Sequence, residues 1–292
     1  FFAMTNPVRN ACSFLFVPAT QPERLPKALA SGSDMVIADW EDAVAPADKE
    51  RARAALAEAV VALPHAQRAR LLVRINSEGT PWFSTDLQAL AQLIAQGVTG
   101  AVVPKAERVQ TLQAVAHAVG PSVTLVPLVE SVAGLAAADA LAAAPQVVRL
   151  AFGHLDFQVD VGMTCGETEE ELLPVRMALV FASRSAGLAA PIDGVTVDTR
   201  NLERMASDAE RARRMGFGGK LCIHPAQVPV LHAAFDPDEA AVAHALRVQQ
   251  ALQQAGGGVC VLDGRMVDAP VLAQAQQTLQ RHALAQQRLA GR

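Results

Sequence analysis

Short apolar runs alternate with longer Ala-, Leu- and Arg-rich stretches over most of the chain. An apolar run of a few residues, rich in Val, Ile and Leu, reads as a strand buried on both faces, as in a parallel sheet. Eight such runs stand at Ser13–Val17, Met35–Asp39, Leu71–Ile75, Ala101–Val103, Val123–Leu128, Val147–Phe152, Ile192–Val195 and Lys220–Ile223. Amphipathic stretches between them predict helices over Ala47–Ala62, Thr85–Gln96, Glu107–Ala118, Thr168–Ala186 and Asn201–Met215. Gly97, Gly120, Gly187 and Gly216 follow four of these, where a helix C-terminus favours glycine.

Repeated strand–helix units call for a parallel sheet. Eight of them predict an α/β protein built as a closed (β/α)8 TIM barrel. An open dinucleotide-binding sheet is disfavoured because no GxGxxG follows the first strand, and Gly256-Gly-Gly258 comes too late to serve as one. After Pro225 the pattern changes to a helix over Asp238–Ala255, a hairpin-like segment over Val259–Val267 and a last helix from about Pro270 to Ala290. The expected organisation is an N-terminal segment (1–12), a barrel (13–230) and a C-terminal helical lid extension (231–292). Phe1, Phe2 and Ala3 precede Met4, where the native start is expected.

With 292 residues, 51% of them apolar, the chain can bury a large core in one barrel unit of roughly 250 residues. A net charge of −4 gives no basic face for nucleic acid. No apolar run reaches the ~18 residues of a membrane span. The four cysteines form no CxxC pair, which argues against a zinc or redox motif. The start carries no charged or long apolar leader, so a reducing cytoplasm is expected.

In such a barrel the chemistry gathers at the C-terminal ends of the strands. Here those ends read Asp39-Trp40-Glu41-Asp42, Arg74-Ile75-Asn76, Pro104-Lys105, Glu130-Ser131, Gly153-His154-Leu155-Asp156 and His224-Pro225-Ala226-Gln227. Glu130 and Asp156 follow neighbouring strands, and two carboxylates without Cys or His ligands suit Mg2+; each could equally cap a helix. Arg74 closes an apolar strand and would direct its fork into the mouth, or pair with Asp39, Glu41 or Asp42. Glu41 and Asp42 would orient metal-bound water, order Arg74 or relay a proton. His224 reads as a structural group.

The blocks Ser13–Pro18, Ile37–Val44, Val73–Asn76, Val103–Lys105, Leu128–Ser131, Phe152–Asp156 and Gly216–Pro225, in this order, resemble the citrate lyase beta-subunit-like group of the HpcH/HpaI aldolase superfamily. The resemblance runs from about residue 12 to residue 285, and Gly264–Pro270 is similar to that group's C-terminal block. It implies Mg2+ on Glu130 and Asp156, substrate oxygens on Arg74 and Glu130, and a lid Asp268 that acts as a catalytic base across a subunit boundary of a trimer or hexamer. Read alone, Asp268 is a helix N-cap before Ala269-Pro270. The chain departs from the pattern at Cys12, Trp40 and Leu155, where the group often has Arg, a smaller residue and an acid.

The reaction implied is Mg2+-dependent carbon–carbon cleavage, or formation, of a short 3-hydroxyacyl-CoA thioester such as citramalyl-, malyl- or citryl-CoA, giving acetyl-CoA and a 2-oxo acid. The implied partners are therefore small molecules and a second copy of the chain. Alternatives are a pyruvate-type class II aldolase on free hydroxy-keto acids, a subunit of a carrier-protein citrate lyase, and a non-catalytic acyl-CoA-binding barrel. Arg9, Arg24, Lys49 and Arg53 are candidate CoA nucleotide contacts.

Overall fold

A computed structural model describes residues 6–256 and 258–290; the expected start at Met4 and the middle of the Gly256–Gly258 run lie outside them. Eight parallel strands close into a barrel in chain order: β1 (Ser13–Pro18), β2 (Met35–Asp39), β3 (Leu71–Arg74), β4 (Gly100–Val103), β5 (Thr124–Val129), β6 (Ala151–Phe152), β7 (Ile192–Asp193) and β8 (Gly219–Cys222). β8 returns to β1 with Phe14 beside Leu221, which closes the ring. The (β/α)8 barrel predicted from the alternation of runs is the fold observed.

Alternate residues of each strand point inward, the period-2 rule of a pleated strand. Phe14, Met35, Ile37, Leu72, Val102, Val126, Leu128, Ala151, Ile192 and Leu221 fill the barrel. The predicted helices form at Lys49–Ala62, Phe83–Ala95, Val109–Val119, Leu173–Ser185 and Leu202–Met215. The sixth strand is shorter than the predicted Val147–Phe152. Val147 makes only a lone bridge to Leu125, and regular pairing begins at Ala151. Between them Arg149, 1% exposed, donates to the carbonyls of Val8, Ala11, Ala190 and Pro191. A side chain there takes bonds that strand pairing would otherwise make.

The chain divides into two compact units, Phe1–Leu231 and His232–Arg292. In the second, the helices Glu239–Gln254 and Ala269–Ala290 pack with a small antiparallel hairpin, β9 (Cys260–Leu262) and β10 (Arg265–Val267). Asp263 and Gly264 form the hairpin turn with φ of 51° and 75°, the left-handed pair that an Asp-Gly dipeptide favours. Its core is Ala245, Val248, Leu252, Val267 and Ala275. Among the described residues no helix is long and apolar enough to cross a membrane.

Candidate active site

The barrel's inward-facing alternation carries Asp39, Arg74 and Glu130 past the last apolar layer at the C-terminal end. A cleft of about 430 Å³ opens there, lined by Asp39, Asp42, Arg74, Glu130 and Asp156 and by the apolar Phe16, Leu128, Val195, Leu221 and Ile223. The five strand-end groups that sequence reasoning picked out for this mouth (Glu41, Asp42, Arg74, Glu130 and Asp156) lie together around this cleft or against Arg74.

Arg74 is the hub. Its Nε and Nη2 donate to the two oxygens of Asp39 at 2.7 and 2.6 Å, a bidentate pair. Nη1 reaches Glu41 Oε2 at 3.0 Å and Asp42 Oδ2 at 3.2 Å. The guanidinium also lies 4.9 Å from the Phe16 ring centroid. Burial alone would strip Arg74 of its proton more easily. The Asp39 hydrogen bonds and the charges of Asp39, Glu41 and Asp42 outweigh that and hold its pKa above the usual arginine range. Both expectations for Arg74 therefore hold at once: it faces the cleft and it is ion-paired.

Asp39, 2% exposed, was one of three acids open to pairing with Arg74, and its second task, ordering the loop, is what the sequence reading passed over. Besides Arg74 it accepts the backbone N–H groups of Glu41 and Ala43 at 2.9 and 3.1 Å, so it shapes the loop that carries the other two acids. The available signal was a lone Asp ending an otherwise apolar strand. Glu41 sits against Arg74, yet its pKa is raised to about 8, first by burial and then by Asp42, Glu130 and Asp39.

Glu130 is buried. Its Oε1 accepts the backbone N–H of Lys105 at 2.7 Å, with Lys105 at φ 44°, a left-handed geometry a lysine seldom takes. Its Oε2 faces Gly153: a Cβ there would lie 2.5 Å away, so only glycine lets β6 pass this close. Asp156 stands in the first turn of the helix His154–Val161 and lines the cleft with Glu130. Burial, and then the charge of Asp156, raise the Glu130 pKa to about 7 against the Lys105 hydrogen bond.

The donor set fits a hard divalent cation. Among the described residues Arg74 is the one Lys or Arg side chain lining the cleft, against the carboxylates of Asp39, Asp42, Glu130 and Asp156. An all-oxygen set with surplus negative charge is what Mg2+ takes. Burial and then the Asp156 charge raise the Glu130 pKa, and a cation held between these carboxylates would offset both.

Two candidate CoA contacts are committed elsewhere. Lys49 Nζ, 5% exposed, donates to Trp40 O, Glu41 O and Asn76 Oδ1 at 2.6, 2.8 and 2.6 Å. Arg53 pairs with the buried Asp86 at 2.8 Å, and Asp86 in turn accepts from Asn76. Both basic groups thus brace the β2 and β3 ends from behind. His224 Nδ1 accepts the Ala226 N–H at 3.1 Å, a local turn contact. In the second unit, Asp268 Oδ1 accepts the Val271 N–H at 3.2 Å, the N-cap geometry read from its place before Ala269-Pro270.

The family model of HpcH/HpaI aldolase/citrate lyase matches residues 12–225. A (3S)-malyl-CoA thioesterase of Cereibacter sphaeroides is 33% identical over 277 residues, 91% of this chain and 93% of that protein. An L-malyl-CoA/beta-methylmalyl-CoA lyase of the same species is 32% identical over 297 residues, 91% and 92% of the two chains. Among solved structures, the Mycobacterium tuberculosis protein CitE in complex with magnesium, acetoacetate and coenzyme A superposes with a TM-score of 0.81 at 34% identity, covering 94% of this chain and 99% of that one.

Proposed function

The chain belongs to the HpcH/HpaI aldolase/citrate lyase family, and on that premise we propose that it is a Mg2+-dependent carbon–carbon lyase acting on a short 3-hydroxyacyl-CoA thioester to give acetyl-CoA and a 2-oxo acid. The observation that carries this reading is the acid cluster around one guanidinium at the barrel mouth, with Glu130 and Asp156 both lining the same cleft. Relatives named for malyl-CoA chemistry and a structural neighbour with magnesium and coenzyme A support it.

Glu130 and Asp156 would hold the metal. Bound there, Mg2+ supplies Lewis-acid polarisation of the 2-oxo acid's carbonyl oxygen. Arg74 binds the adjoining substrate oxygens, its fork fixed by Asp39 so that no rotamer freedom is lost on binding. Its second Nη2 proton has no protein acceptor among the described residues and is left for substrate. In cleavage the 3-hydroxyl gives up its proton and the neighbouring C–C bond breaks. The bond's electron pair passes into the thioester enolate, which a proton then quenches. Asp268 is our proposed base, in a homo-oligomer (trimer or hexamer) of a reducing cytoplasm.

The test is Mg2+-dependent release of acetyl-CoA from malyl-, citramalyl- and citryl-CoA, with free CoA assayed alongside to separate lyase from thioester hydrolysis. Arg74→Ala and Glu130→Ala are each expected to abolish acetyl-CoA release while the far-UV circular dichroism stays native. Near-normal turnover in either variant, or CoA esters that bind without any cleavage, refutes the assignment.

A further inference from the structure

The cleft is chemically divided. Its charged side comes from β2, β3, β5 and the helix after β6. Its other side, from the ends of β7, β8 and β1, presents Val195, Leu221, Ile223 and Phe16. Leu221 is 4% exposed and part of the barrel core, whereas Ile223 is 39% exposed and reaches the opening. Leu155, one residue before Asp156, adds a further apolar group.

A 2-oxo acid brings one carboxylate beside its carbonyl, and Arg74 with the metal accounts for that charge. A second carboxylate on the same molecule would need its own cation. The cleft provides none: Arg74 is its one Lys or Arg side chain among the described residues, and Asp39, Glu41 and Asp42 already surround it. His154 lines the cleft but faces away from this need. Its Nε2 lies 3.3 Å from Glu169 Oε1, and its Nδ1 lies against Gly194, where a Cβ would come within 2.1 Å. Lys105 serves the site through its backbone N–H, and its side chain is exposed outside the lining.

We propose that the β7–β8 wall of Val195, Leu221 and Ile223 selects 2-oxo acids that carry a small alkyl substituent and rejects those that carry a second carboxylate. The inference rests on the lyase reading of the same cleft and names its substrate class. A methyl group against this wall gains apolar contact, whereas a carboxylate there loses water without gaining a partner. Hydrophobic pockets discriminate a single methylene by roughly 10- to 200-fold, and an unpaired charge is penalised more. The preferred thioester therefore releases pyruvate or its ethyl homologue rather than oxaloacetate.

Two measurements on the full chain with Mg2+ test this. The first is calorimetric binding of pyruvate, 2-oxobutyrate and oxaloacetate. The second is kcat/KM for citramalyl-CoA against citryl-CoA, in wild type and Ile223→Lys. The wild type is expected to favour the methyl-bearing compound by roughly 100-fold in kcat/KM and to bind pyruvate more tightly than oxaloacetate. Ile223→Lys, placing an ammonium on the wall, is expected to narrow the ratio at least tenfold. Equal handling of the two classes, or an unchanged ratio in Ile223→Lys, overturns the proposal. Cleavage without discrimination removes the wall and leaves the lyase. The predicted binding order without any cleavage removes the lyase and leaves the wall, and the binding panel needs no variant to fold.

Discussion

Replacing Lys49 by Met should disable the site without touching any group that lines it. Lys49 sits on the helix Lys49–Ala62, and its ammonium has three protons and three acceptors: the carbonyls of Trp40 and Glu41 and the side-chain oxygen of Asn76. Methionine keeps the length and the apolar stem, including the place beside the Trp82 ring, but takes the charged donor from all three acceptors: Trp40 O keeps only Asn76 Nδ2, Glu41 O only the Val44 N–H, and Asn76 Oδ1 loses its ammonium donor. A hydrogen bond to a charged group is worth roughly 1.5–3 kcal/mol. Part of that is offset because burial disfavours the charged amine, which lowers the Lys49 pKa despite the nearby acids. A net loss of about 3 kcal/mol is the reasonable figure for three such bonds. At this chain length each kcal/mol moves the melting temperature by about 2–4 °C, so a fall of about 6–12 °C is expected.

The functional effect should be larger than the loss of stability implies. The two carbonyls belong to the loop that presents Glu41 and Asp42 to Arg74. If that loop shifts by about 1 Å, Arg74 keeps only its Asp39 pair, and a misplacement of this size costs about 100-fold in rate. Thermal unfolding and kcat/KM, measured at a temperature where the variant is fully folded, separate the two effects. Lys49→Arg should rescue poorly, because a planar fork cannot match three acceptors arranged around a tetrahedral ammonium. A melting temperature within 2 °C of wild type together with kcat/KM within threefold would refute the bracing role.

Gly153→Ala would place its Cβ 2.5 Å from Glu130 Oε2 and 2.6 Å from Glu130 Cβ, so calorimetry should find Mg2+ affinity down at least about tenfold; unchanged affinity would mean Glu130 is not a ligand. Arg149→Met removes the cation that ties the carbonyls of Val8, Ala11, Ala190 and Pro191 at the opposite end of the barrel, and denaturant unfolding should show a loss of about 3–5 kcal/mol with kcat/KM of the folded protein unchanged. Burial would raise the Glu169 pKa, but its bonds to His154 and Arg176 and the nearby charges win and hold it well below the usual carboxylate range. Its stabilising contribution is therefore complete above the unfolded value near 4.5 and fades as pH falls below it, so the stability gap between wild type and Glu169→Gln should shrink from pH 7 to pH 3. A gap that is flat across that range would show that the Glu169 charge contributes nothing.

The barrel was legible because its strands are apolar on both faces and its helices amphipathic, so two different hydrophobic periods alternate along the chain. The acids were legible because each breaks an apolar run abruptly, as Glu130 does after Leu125–Val129. What escaped the sequence reading was fixed by tertiary contact. Helices of eight residues or fewer, such as Leu25–Ala30, Val132–Ala136 and His154–Val161, are too short for propensity to accumulate and depend on caps, as Ser131 caps the second through Gly134 N–H. Lys49 and Arg53 read as candidate CoA contacts because their side-chain partners, Asn76 for Lys49 and Asp86 for Arg53, lie 27 and 33 residues away along the chain. Asp39 was read as one of three acids open to pairing with Arg74, since nothing along the chain distinguishes the acid that organises a loop from those it presents.

The same alternation explains why the two sides of the cleft differ in what stands behind them. On β2, β3 and β5 the inward positions end in Asp39, Arg74 and, just beyond the strand, Glu130, and their outward neighbours Ala38, Val73 and Val129 are apolar and buried. On β7 and β8 the order reverses: Ile192 and Leu221 face in, while Asp193 and Lys220 face out beneath the helices. There Asp193 meets Arg176 at 3.0 Å, and Glu169 bridges Arg176 and Arg211 at 2.6 and 2.9 Å. A strand a single residue thick cannot carry unmatched charge on both faces in the interior, because each buried charge needs its own partners. On β2, β3 and β5 the strand residues beside the inward charges are therefore apolar, with the Lys49, Asn76, Asp86 and Arg53 set internally matched at the strand ends, and charge behind β7 and β8 goes with an apolar inner face. The ionic layer fixes β7 and β8 from outside the barrel, so the wall that meets the substrate's substituent is held rigid without a single charged side chain of those strands entering the cleft.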